Sequence, residues 1–167
     1  MKDLISQFAS GLTGHTELRA QCNKTRAVGM LNGNLIANSR ADVSGVSARV
    51  YEGGVYGFAS SADYDEENVK RVLESARENA LFLHKRVPKG KPPLAPLARG
   101  KVAVDREYPD LSQKDAVDFI RAAEDYLKNK YPQLQSRTLI LKEECMEKLL
   151  VVSDGTGAAH IMPTCFI

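Results

Sequence analysis

Asp42-Val-Ser-Gly-Val-Ser-Ala-Arg-Val-Tyr-Glu-Gly-Gly-Val-Tyr-Gly-Phe-Ala-Ser60 is the stretch on which the fold turns. Val46, Ala48 and Val50 alternate with Ser47, Arg49 and Tyr51, a period of two that sends one face of a strand into a core. Gly53-Gly54 supplies the positive φ angles that a two-residue hairpin turn requires. Two strands joined at Glu52-Gly53-Gly54 are therefore expected.

Working outward, Leu4, Ile5, Phe8, Ala9 and Leu12 share one helical face, which Gly11 or Gly14 can end. Leu18, Ala20 and Cys22 alternate with polar neighbours, predicting a strand over 17–25. Asn32-Gly33 is a type I′ hairpin signal between strands at 27–31 and 34–39. Five successive antiparallel strands follow from these readings. Asp63-x-x-Glu66 resembles a capping box opening a helix to about Arg86, with Val69, Val72, Leu73, Ala76, Ala80 and Leu83 as its apolar stripe. Val87–Arg99 holds four of the seven prolines, so it reads as a surface crossing. Ser112 caps a second helix to Lys130, and Tyr131-Pro132 stops it. Residues 138–142 and 148–152 read as an antiparallel pair whose solvated turn carries Glu143, Glu144 and Glu147. A turn at 153–157 leads to a strand over 158–162. The apolar ending Phe166-Ile167 suggests a chain cut off mid-strand. The expected fold is a single α+β domain over 1–167: an antiparallel sheet with two main helices packed on one face.

The 167 residues suffice for one domain with a real core. Twenty-three basic against 21 acidic residues leave a net charge of +2, which speaks against a general nucleic-acid binder. No apolar run approaches membrane-spanning length, and residues 1–7 lack a signal-peptide core. A cytoplasmic location is the expectation. Three cysteines, Cys22, Cys145 and Cys165, show no metal-binding spacing, and the odd number argues against a disulfide framework. Cys22 and Cys145 read as buried thiols within strands.

The search for chemistry returns little. His15, His84 and His160 form no His-x-x-x-His arrangement, and there is no nucleophile elbow or phosphate loop. His84 falls near a helix C-terminus, where a cation favours the helix dipole. Arg49 leaves the core face; it is either an ordinary exposed strand arginine or a groove-lining residue whose fork reaches a peptide or carboxylate. Tyr51 shares its phase. Asp154, in Asp-Gly-Thr, is a turn former first.

Two motifs carry a family resemblance. Gly45-Val46-x-x-Arg49-Val50, then Gly57-Phe58-Ala59 after six intervening residues and a capped helix, resembles the N-terminal region of the TldD/PmbA family, once called modulators of DNA gyrase. Val151-Val152-Ser153-Asp154-Gly155-Thr156-x-Ala158-Ala159-x-x-x-Pro163 is similar to a second family segment, and its Asp-Gly-Thr form resembles the TldD branch. Two departures stand out: Ser47-Ala48 replaces the usual Gly-Val, and Phe166 stands where a basic residue is usual.

The resemblance implies the N-terminal domain of a zinc metallopeptidase that processes peptides as a homodimer or with a PmbA-like partner subunit. It places the His-Glu-x-x-x-His zinc motif in a later region, absent from this sequence, so no catalytic residue, metal ligand or cofactor is assigned here. By itself the chain is expected to be inactive, serving as a substrate-chamber or dimerisation domain. Arg49, Tyr51, Phe58 and Asp154 are the candidates for lining the substrate path. The alternative is a non-catalytic peptide- or protein-binding module, like the PmbA-like subunit.

Overall fold

A computed structural model of the protein describes residues 2–87, 90–93, 101–104 and 111–167. The elements run α1 (Lys2–Ala9), β1 (His15–Leu31), β2 (Asn34–Glu52), β3 (Val55–Ser61), α2 (Glu66–His84), β4 (Lys101–Val104), α3 (Gln113–Lys130), β5 (Thr138–Val152) and β6 (Gly157–Phe166). Six strands form one sheet in the order β3-β2-β1-β5-β6-β4. The class is α+β as expected. The sheet is mixed rather than purely antiparallel, because β4 pairs in parallel with β6 from Lys101↔Gly157 to Val104↔His160.

The strands are fewer and longer than the local pattern implies. Residues 17–25 and 27–31 belong to a single 17-residue strand, and 34–39 continues into the opening stretch as one 19-residue strand. Likewise 138–142 and 148–152 are parts of the one strand β5. Glu143, Glu144 and Glu147 therefore sit within a strand and not in a solvated turn, and Glu143 is buried. The proline-rich crossing expected over 87–99 lies largely outside the described residues.

The described residues cluster into two compact units. The first comprises Met1–Cys22, Val43–Asp105 and Glu147–Ile161; the second comprises Asn23–Asp42, Arg106–Met146 and Met162–Ile167.

In the first unit, Val46, Ala48 and Val50 of β2 join Leu18 and Ala20 of β1, Ile5 of α1 and Leu149 of β5 against Val69, Val72, Ala76 and Ala80 of α2. The helix begins two residues later than the sequence suggests. Its cap is Asp65, whose Oδ1 accepts from the Asn68 backbone N–H at 2.8 Å, satisfying a donor left open by the first turn. That bond holds the exposed Asp65 carboxyl below the usual carboxylate range.

The hairpin register runs from Val46↔Ser61 to Glu52↔Val55. Gly53 and Gly54 have φ of 51° and 102°, as the turn demands. At the far end of α2, His84 Nδ1 lies 3.0 Å from the Gly53 carbonyl oxygen and ties the helix to the turn. Between these points α2 passes so close to β3 that a Cβ on Gly57 would lie 2.0 Å from the Ala76 carbonyl oxygen and 2.2 Å from the Ala80 nitrogen. Only a glycine fits there.

The second unit packs Val28 and Met30 of β1 and Leu141 of β5 against Ala116 and Ile120 of α3. Ser112 caps α3 in a full capping box with Asp115. The unit also holds one buried and one partly buried ion pair. Arg26 Nε meets Glu143 Oε2 at 2.6 Å, while Arg26 Nη1 donates to the carbonyl oxygens of Leu111 at 2.6 Å and Ser112 at 2.8 Å. Arg137 donates through Nε and Nη2 to Glu124 Oε1 at 3.0 and 2.9 Å. The Asn32 turn, at φ 47°, exchanges hydrogen bonds with the Arg137 backbone.

Because the atoms facing Gly57 are helix backbone, they cannot step aside cheaply. Gly57→Ala is expected to lower the unfolding free energy by about 2–3 kcal/mol, read as a lower urea midpoint. A midpoint equal to wild type would contradict the close approach of α2.

Candidate functional site

The alternation that buries Val46, Ala48 and Val50 turns Ser47, Arg49 and Tyr51 to the opposite face of β2. In the β2–β3 register, Arg49 stands opposite Phe58 and Tyr51 opposite Tyr56. From β1, His15 and Glu17 meet the same side chains. The result, wholly within the first unit, is a polar and aromatic patch on the face turned away from α2.

Arg49 and Glu17 form a two-pronged ion pair: Nε donates to Oε2 at 3.1 Å and Nη2 to Oε1 at 2.6 Å. The hydrogen bond to Glu17 raises the pKa of Arg49 further above its ordinary value, so the guanidinium is a permanent cation. Its Cζ lies 4.9 Å from the Tyr56 ring centre, within cation–π range. Tyr51 and Tyr56 meet edge-on at 5.3 Å, and His15 packs edge-on against both at 6.4 and 6.1 Å. His15 Nε2 approaches Glu17 Oε1 at 3.6 Å. Tyr51 is held from its other end, its hydroxyl donating to the Lys91 carbonyl oxygen at 2.5 Å. These side chains are mutually fixed, which lowers the entropy a ligand contact would cost.

Beside this cluster lies a depression of about 180 Å³ lined by Glu17, Arg19, Ser47, Ala48, Arg49 and Phe58. Phe58 is 59% exposed. Its lining combines an apolar ring, two guanidinium groups, a carboxylate and a hydroxyl. That composition suits an extended peptide, whose backbone and carboxylates meet the polar groups while a side chain covers Phe58.

Of the four sequence candidates, Arg49, Tyr51 and Phe58 thus share one face. Asp154 does not line the depression. It shapes the β5–β6 turn, where its Oδ1 accepts from the Thr156 backbone N–H at 2.8 Å and Gly155 takes φ 86°. Neighbouring Ser153 fastens that turn to the start of β1, with its N–H donating to the Thr16 carbonyl oxygen at 2.9 Å and its Oγ donating to that of Gly14 at 2.5 Å. His15, Glu17, Arg19 and Tyr56 were not singled out by the sequence. Their signal was the odd-numbered phase of β1 and the turn register of β3, readable only once both strands are paired.

Among the described residues, no group of three or more His, Cys, Asp or Glu side chains could hold a metal ion.

The fold and face define an α+β domain with a hairpin-and-helix scaffold and a preformed polar–aromatic surface. Residues 16–80, which span β1 to α2, match the family model described as PmbA/TldA metallopeptidase domain 1. Those residues are thus similar to a first domain of the PmbA/TldD family. The fold agrees over 98% of the chain with three solved structures. One is a candidate modulator of a DNA gyrase from Thermotoga maritima (16% identity, TM-score 0.68), another is TldE from Thermococcus kodakarensis (12%, 0.69). The third is a candidate modulator of DNA gyrase from Bacteroides thetaiotaomicron (16%, 0.63). The chain spans 37–38% of the length of each. No curated protein sequence matches it significantly.

A double-mutant cycle over Glu17→Ala and Arg49→Ala is expected to give a coupling of about 1 kcal/mol, shrinking in molar salt because Arg49 is partly exposed. Zero coupling at low salt would show that the pair does not fix the face.

Proposed function

We propose that this chain is the N-terminal, substrate-guiding domain of a TldD-like zinc metallopeptidase that processes peptides in the cytoplasm. The observation that carries the reading is the match of residues 16–80 to the first domain of a metallopeptidase family. The preformed face on those same residues supports it. In this role the chain does no bond chemistry. Arg49 and Arg19 hold peptide carbonyl or carboxylate oxygens, Phe58 receives an apolar side chain, and the metal acts elsewhere in the longer protein. No described helix is long and apolar enough to cross a membrane.

The test uses the full-length protein. The reading frame beyond Ile167 is expected to encode a His-Glu-x-x-x-His helix. In the zinc-loaded enzyme, Phe58→Ala should raise KM for peptide substrates about fivefold at unchanged kcat, the signature of lost uniform binding. A stop codon directly after Ile167 would overturn the peptidase reading in favour of a non-catalytic binding module. An unchanged KM would remove Phe58 from the substrate path.

A further inference from the structure

Two guanidinium groups line the depression beside the polar–aromatic face, but only one has charge to offer a ligand. Arg49 commits Nε and Nη2 to the two carboxylate oxygens of Glu17. Its charge is balanced within the protein, and Nη1 is left as a donor suited to a neutral carbonyl oxygen. The same pairing occupies Glu17. Its side chain is only 17% exposed, and with both oxygens engaged it has little to offer a basic side chain.

Arg19 differs. It stands two residues along β1 from Glu17 and so on the same face of the strand. It is exposed, and among the described residues no carboxylate lies within ion-pair distance of it. The lining therefore carries one positive charge that the protein does not neutralise, and it sits on Arg19. Phe58 supplies the second element of recognition. It belongs to β3, which with β1 flanks β2, so the ring and Arg19 rise from strands about 10 Å apart. An extended chain covers that distance in about three residues.

We infer that Arg19 makes this depression selective for anionic peptides, favouring a carboxylate about three residues from an apolar side chain and disfavouring a basic residue at that position. The inference rests on the reading of this face as a peptide site and names its substrate class. The carboxylate can belong to an acidic side chain or to the end of the peptide.

The test titrates the chain with four acetylated hexapeptides, followed in the amide spectrum, which also confirms that each variant folds. Three are amidated and carry Glu, Gln or Lys three residues from a leucine; the fourth carries Gln and a free terminal carboxyl group. The Glu peptide should bind about threefold to fivefold more tightly than the Gln peptide, and the Lys peptide more weakly than either. A larger gain from the free terminus would assign the carboxylate to a chain end. In Arg19→Gln the gain should vanish, and in Arg19→Glu the Lys peptide should bind best. No gain from either carboxylate, or a gain retained in Arg19→Gln, would overturn the inference and leave the face as a peptide site of another preference. Absence of binding by all four would overturn the peptide reading itself, and the inference with it.

Discussion

The first unit depends on how near two backbones can come. At Gly57 the α2 backbone around Ala76 and Ala80 occupies the space where any side chain of β3 would begin. A helix seated that deeply can fill its underside only with small and branched residues, and it does so with Val69, Val72, Ala76 and Ala80. The same seating brings His84 onto the Gly53 turn. With one face of the hairpin closed so tightly, every odd-numbered side chain of β2 over 47–51 is sent to the other. The candidate face is thus a consequence of the packing behind it.

The second unit solves a different problem. Its apolar cluster is small, and its definition comes from buried charge. A buried ion pair gains little net stability over an apolar substitute, since desolvation offsets the Coulomb attraction, but losing one partner is costly. Arg26 also donates to two carbonyl oxygens at the start of α3. It therefore fixes where that helix begins relative to β1 and β5. Arg137 does the same between Glu124 and the Asn32 turn. These contacts specify an arrangement that a handful of aliphatic side chains would leave loose.

Much of this was legible in the sequence, for reasons that can be named. The Gly53-Gly54 and Asn32-Gly33 turns, the α2 stripe from Val69 to Ala80 and the Ser112 cap are local chemistry, and each stands where it was read, whereas Leu83, read into the stripe, is exposed. Strand lengths were not legible. The strand breaks read at Arg26 and at Arg40-Ala41 lie within long paired strands, whose ladder outweighs local preference. Glu143 resembled a solvated acid because its partner, Arg26, is remote in sequence. The candidate site divides along the same line. The outward phase of Arg49 follows from alternation, whereas its pairing with Glu17, 32 residues away, needs the register of two strands. Asp154 was read both as a turn former and as a path residue, and its hydrogen bond to Thr156 supports the first.

The central claim is that the outward face of β1, β2 and β3 receives extended peptide. Its most direct test is a titration of the isotopically labelled chain with short unstructured peptides, followed residue by residue in the amide spectrum. The account predicts shifts concentrated at Arg19, Ser47, Arg49, Tyr56 and Phe58, with the α2 residues facing solvent unmoved. Shifts confined to the outer side of α2, or none at any peptide concentration, would contradict it.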